Sequence, residues 1–265
     1  PQTLTAIHNM GFLLSSQGNL AEAETVYRDV LEKRRRLLGD KHPHTLASIN
    51  GLAIVLRMQS KLTEAEPLAR EVLANLRATV GDEHQSTLTA TMNLGVLLQL
   101  QGKDSECEPY LRDALDKSRR VLGADHQVTM KAIAAMGKLR FDQSRLAEAE
   151  ALDLEVLEKR RRVLGDSHPD TLIAVIALGE LRVAQKNFAD AVSLLAAIET
   201  KAKLAFTGGN APSWANLLKN IGAARAALAR VPAEFAAAES DLLQSHEVYL
   251  RSRGEQHRDT RAAAQ

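Results

Sequence analysis

The chain has 265 residues and a formal net charge of +1, so it exerts no overall pull toward nucleic acid or an anionic membrane. Aromatic residues make up only 3%, leaving little for base stacking, while 45% hydrophobic and 25% charged residues describe a folded chain. The longest apolar stretch, around Leu172 to Leu178, is too short to span a bilayer.

In chain order, Leu4, Ile7, Met10 and Leu14 recur at helical spacing. A turn at Gln17-Gly18-Asn19 follows, then a second helical pattern from Ala21 to Leu38, ended by Gly39. The pattern then repeats: Leu46, Ile49, Leu52 and Leu56, a turn at Gln59-Ser60-Lys61, then Thr63 to Val80 and Gly81. Further turns fall at Gln101-Gly102-Lys103, Gln143-Ser144-Arg145 and Gln185-Lys186-Asn187. Nothing alternates with a period of two, so strands are not expected.

The junction Gly39-Asp40-Lys41-His42-Pro43-His44-Thr45-Leu46 sets the period. Its histidine returns as His84, His126 and His168, a spacing of 42 residues each time. Pro1-Gln2-Thr3-Leu4 is the end of the same junction, Asn210-Ala211-Pro212-Ser213-Trp214 is a weaker copy, and His257-Arg258-Asp259-Thr260 is a late one. A fixed period of this size marks a repeat array, stabilised repeat upon repeat and not by one central core. We place the repeats at about 1–41, 42–83, 84–125, 126–167, 168–209 and 210–256, with a further helix starting at 257–265 in a single array over 1–265.

The junction residues suit helix ends. Gly39, Gly81, Gly123 and Gly165 stand where a left-handed residue closes a helix, and Pro43 and Pro169 where the next one opens. Small residues mark close crossings: Gly11, Ala53, Gly95, Gly137 and Gly179 in the first helices, with Ala23, Ala65, Cys107, Ala149 and Ala191 as their expected counterparts in the second. Glycine inside a helix costs roughly 1 kcal/mol against alanine, so its recurrence needs a packing reason.

These residues carry a resemblance. The repeat, with a Gly-x-x-Leu segment, Gln-Gly-x-Leu-x-Glu-Ala-Glu and Leu-Gly-Asp-x-His-Pro-x-Thr-Leu, resembles the 42-residue tetratricopeptide repeat of kinesin light chains and of related bacterial proteins. The match is specific in the first four repeats and weakens at Glu199 to Leu204, and Ala229-Arg230-Val231-Pro232-Ala233 lengthens the turn of the sixth. The resemblance implies an all-α fold, a right-handed superhelical solenoid of about five and a half to six antiparallel helix pairs, whose first helices line a concave face. Members of the family hold extended peptides there, and kinesin light chains take tryptophan-acidic ones.

On that face the expected groove residues are His8 and Phe12, then Asn50, Ile54 and Arg57, then Met92, Val96 and Gln99, and finally Lys131, Lys138 and Phe141. The fifth repeat offers Ile173, Ile176, Glu180 and Val183. Asn50 stands where the family's groove asparagine would be, as the first letter of a departed Asn50-Gly51 pair. The matching residues elsewhere are His8, Met92, Ala134 and Ile176, so the family's ligand does not carry over. Arg140 and Arg182 replace Leu14, Leu56 and Leu98, and a buried unpaired arginine would be costly.

Other chemistry has less behind it. The junction histidines come from separate repeats whose helices sit ~8–10 Å apart, whereas metal ligands share one ion at about 2 Å. Cys107 reads as a small buried hydrophobe, and as a lone thiol it fits a reducing, cytoplasmic setting. The runs Lys33-Arg34-Arg35-Arg36 and Lys159-Arg160-Arg161-Arg162 fit helix C-termini, with an anionic partner as the alternative. Gly208-Gly209 lacks the Gly-Lys-Ser/Thr of a phosphate loop. We therefore expect no enzyme, cofactor or metal, no nucleic-acid or membrane partner, and a scaffold binding an apolar or acidic protein segment. Two alternatives stand beside it: the regulatory arm of a larger signalling protein, such as a bacterial serine/threonine kinase or a nucleotide-switch ATPase, and end-to-end self-association.

Overall fold

A computed structural model describes residues 2–255 and 257–263. Pro1 of the opening junction, Gln256, and the last two residues of the expected further helix lie outside them. All regular structure among the described residues is helical, and the chain has the architecture of an all-α helical-repeat solenoid. Two compact units divide it between Leu139 and Arg140.

The first unit holds α1 (Gln2–Ser16), α2 (Leu20–Leu38), α3 (Pro43–Met58), α4 (Leu62–Val80), α5 (Gln85–Leu100) and α6 (Asp104–Val121). It also takes most of α7 (Gln127–Asp142). Each of α1 to α4 packs on the helix that follows it, α5 packs on α6, and α1 also touches α3. The second unit takes α8 (Leu146–Leu164), α9 (Pro169–Ala184), α10 (Phe188–Ala196), α11 (Glu199–Ala205), α12 (Ala211–Leu228), α13 (Pro232–Arg253) and α14 (Arg258–Ala263). Here α9 packs against α8, α10 and α12, and α12 lies along α13.

Gly39, Gly81 and Gly165 close α2, α4 and α8 at φ of 83°, 88° and 84°, a backbone region that other L-residues avoid. The second helix of the fifth repeat departs from this pattern. It breaks after Ala196 into α10 and α11, at the stretch where the family pattern weakens. The lengthened turn of the sixth repeat is fixed by Glu234, whose Oε2 accepts the Arg230 N–H at 2.6 Å.

The glycine notches receive different side chains from those expected. Ala23, Cys107 and Ala191 are fully buried, but the residue one turn further along fills each notch. A Cβ at Gly11 would lie 3.1 Å from the Tyr27 ring, one at Gly95 2.6 Å from Leu111, and one at Gly179 2.5 Å from Leu195. Tyr27 is the largest of these fillers and needs a second gap: a Cβ at Gly51 would come within 2.6 Å of its ring. The departure of the family's pair at Gly51 is therefore explained by the Tyr27 ring of α2.

Candidate functional site

The candidate surface is built on the first helices of the repeats. Phe12 on α1 is 67% exposed, and Lys131 and Lys138 on α7 are exposed. His8, Asn50, Ile54, Arg57 and Val96 are half-buried. Met92 and Gln99 on α5 are only 7% and 9% exposed, so these two side chains belong mainly to packing. Phe141 falls in the second unit, where it is half-buried, and in that unit Ile176 is buried.

Packing behind this surface fixes its positions. The His8 ring meets Tyr27 edge-on with centroids 5.2 Å apart, and its Nδ1 is buried without a hydrogen-bond partner. Burial, then the nearby charges of Arg34 and His44, hold the His8 imidazole below its ordinary pKa of 6.5. Arg34 itself is buried and turned inward. Its Nη1 donates to the His44 carbonyl at 2.7 Å and to Ser48 Oγ at 2.8 Å, and its Nη2 to the Leu4 carbonyl at 3.3 Å. One side chain of α2 thus ties the first turns of α1 and α3 together. Arg160 is the counterpart in the second unit, donating to the Asp170 carbonyl at 2.8 Å.

Parts of the basic runs are held within the chain, while Arg36 is exposed. Arg34 and Arg160 turn inward, and Arg35 pairs with Asp40 at 3.2 Å and Arg161 with Asp166 at 3.2 Å, as Arg77 of the second repeat does with Asp82 at 2.9 Å.

The junction histidines have a role that their sequence spacing hid. Nδ1 of His42, His84 and His126 each accepts the N–H two residues on at 3.2 Å, and Nδ1 of His168 and His257 does so at 3.1 Å. Each is a helix N-cap. No group of three His, Cys, Asp or Glu side chains able to hold a metal occurs among the described residues. Cys107 is fully buried, with its thiol directed at the Asp104 carbonyl.

Arg140 and Arg182 are both engaged within the second unit. Arg140 is buried, donating to Gln143 Oε1 at 2.7 Å and lying 3.3 Å from Glu148. Arg182 also bonds its turn glutamine, Gln185, at 2.7 Å, but its acid is Glu150 on α8 of the preceding repeat, at 2.6 Å. In both, the turn glutamine and an acid of α8 meet a guanidinium where the first three repeats place leucine. The sequence holds both partners, but nothing in their spacing ranks them above solvent.

Tetratricopeptide repeat family models match residues 2–78 and 129–198, and a second such model matches 87–127. No curated protein matches the sequence. Among solved structures, the nearly identical TPR-like repeats of a Podosopora anserina putative kinesin light chain align at a TM-score of 0.59 and 22% identity, over 76% of this chain and 95% of that one. BtubC (BKLC) from P. vanneervenii aligns at 0.65 and 17% identity, over 89% and 92%. Rap protein complexed with competence and sporulation factor aligns at 0.66 and 13% identity, over 97% and 72%. At these identities the likeness is one of fold.

Proposed function

The chain belongs to the tetratricopeptide repeat family, and from that footing we propose that it is a non-catalytic scaffold holding an extended protein segment on the first-helix face of its first unit. The repeat family supports a protein-interaction role in general. The finer assignment rests on the mixed character of one face. Phe12 and Ile54 offer apolar contact, the Asn50 amide can bond a peptide backbone, and Lys131 and Lys138 offer positive charge.

The observation that carries it is the exposure of Phe12 on the same helical stripe as His8. A large aromatic left in water costs free energy that docking an apolar side chain recovers. The ligand this chemistry fits is an extended segment with an apolar anchor followed by acidic residues. That one neighbour was solved with a bound factor is in keeping with a binding role.

A peptide-display selection against the chain tests the proposal. Enriched segments should combine an aromatic or aliphatic anchor with Asp or Glu. Their affinity should fall roughly tenfold or more in a Phe12→Ala, Lys131→Glu variant whose circular dichroism is unchanged. Enriched segments that bind wild type and variant alike would contradict it.

A further inference from the structure

The second helix of the fifth repeat is interrupted without any of the residues that usually interrupt one. Leu194 to Lys203 holds neither glycine nor proline, the common causes of a sharp kink. The backbone bonding nonetheless changes at one point. The Ala197 N–H reaches the Ser193 carbonyl at 3.3 Å, but the Ile198 N–H turns to Leu195, three residues back, at 3.2 Å. A new helix, α11, then opens at Glu199, and the Ala202 N–H bonds the Ile198 carbonyl at 2.8 Å.

The register supplies a reason. Buried Ala191 matches Ala23, and eight residues beyond that alanine each earlier repeat buries a leucine: Leu31, Leu73, Leu115 and Leu157 are all 6% exposed or less. In the fifth repeat this position is Glu199, which is half-buried and lies 3.6 Å from Arg225 on α12. Arg225 stands three residues after Gly222, as Arg140 and Arg182 stand after Gly137 and Gly179. Where those two have a turn glutamine, the residue matching it after Arg225 is Leu228. The guanidinium is met instead by Asp241 at 2.7 Å and by Glu199.

Magnitudes rank the two contributions. The Glu199–Arg225 pair is partly exposed, and pairs of that kind add little. A carboxylate forced onto a buried leucine position carries a far larger desolvation cost. Its neighbours toward the core, Ile198 and Ala202, remain buried. We propose that Glu199 is a hinge built into the fifth repeat. Refused by the core, it turns to Arg225, breaks the helix after Ala196 and leaves α11 as a short arm resting on α9 and α12.

The test is native-state amide hydrogen exchange, read by NMR on the 265-residue chain. The N–H groups of Thr200 and Lys201 lie in the first turn of α11 and have no acceptor within it. In the wild type they should exchange well ahead of amides in the middle of α9. Glu199→Leu should slow them roughly tenfold or more, as one helix runs through the break. Glu199→Ala should slow them too, which keeps the test open if leucine overpacks the site. Arg225→Leu should leave them fast, because the carboxylate is still refused by the core. Unchanged rates in α9 confirm that each variant folds. Fast exchange at Thr200 and Lys201 in both Glu199 variants would overturn the proposal. So would slowed exchange in Arg225→Leu, since the ion pair and not the core position would then set the break.

Discussion

Histidine ranks below asparagine, aspartate and serine as a helix cap, yet among the described residues five helices open on an imidazole that accepts the N–H of the second residue. The hydrogen bond, not the ring, is the stabilising part. Replacing His84 by alanine should cost about 1 kcal/mol in urea unfolding, and His84→Asn should cost much less, because a short amide reaches the same N–H. Equal losses in both variants would assign the position to ring packing instead. The period of the histidines was legible in the sequence, but their acceptor role was not, since it depends on where Nδ1 points. Gly51 teaches the same lesson. In the sequence it reads only as a departure from the family's pair, and the placement of Tyr27 reveals it as a gap cut for a ring. Gly51→Ala should therefore destabilise by about 2 kcal/mol despite alanine's better helix propensity. Much of the loss should return when Tyr27→Leu is added, read as the coupling in a double-mutant cycle.

Between elements, the second helices of the first unit are joined by charges at repeat spacing, and Glu66 is the best-connected of them. Lys103, Arg70 and Gln101 bond its carboxylate, and the Lys103 hydrogen bond does most to draw its pKa down to about 2 from an ordinary 4.5. Because the folded value lies below the unfolded one, this stabilisation is complete above pH 4.5 and is lost as pH falls toward 2. Glu66→Gln should lower stability at pH 7 by roughly 1–2 kcal/mol, and the gap to wild type should close across that acid window in thermal melts. A gap that stays constant with pH would make the loss one of shape, not charge. Helix positions and turns were readable from periodicity and glycine. The break between α10 and α11 was not, because Glu199 to Leu204 remains a good helix-forming stretch and the neighbouring packing decides where it bends. Arg140 and Arg182 were ambiguous for a related reason: their cost depends on Glu148 and Glu150, which the fold supplies.

At the scale of the whole molecule, the repeat made the fold class legible, and a family shared with many interaction scaffolds narrowed the function. The candidate face was only partly legible, since helical spacing placed Phe12, Asn50 and Lys131 at accessible positions but gave no warning that Met92 and Gln99 are buried. Burial also makes the first unit sensitive to acid at His8. Its folded pKa is depressed, so the stability linked to the neutral ring is complete above the ordinary 6.5 and declines as pH falls below it. His8→Phe should flatten that decline in thermal melts between pH 7 and about 5, and an unchanged slope would place the sensitivity elsewhere. The central claim, that the first-helix face of the first unit receives a protein segment, is tested most directly by site-specific photocrosslinking. A photoreactive residue is placed at Ile54 on α3 or, as a control, at the exposed Ala74 on α4, and a display-selected segment is added. The account predicts crosslinks from Ile54 and none from Ala74, and the reverse pattern would contradict it.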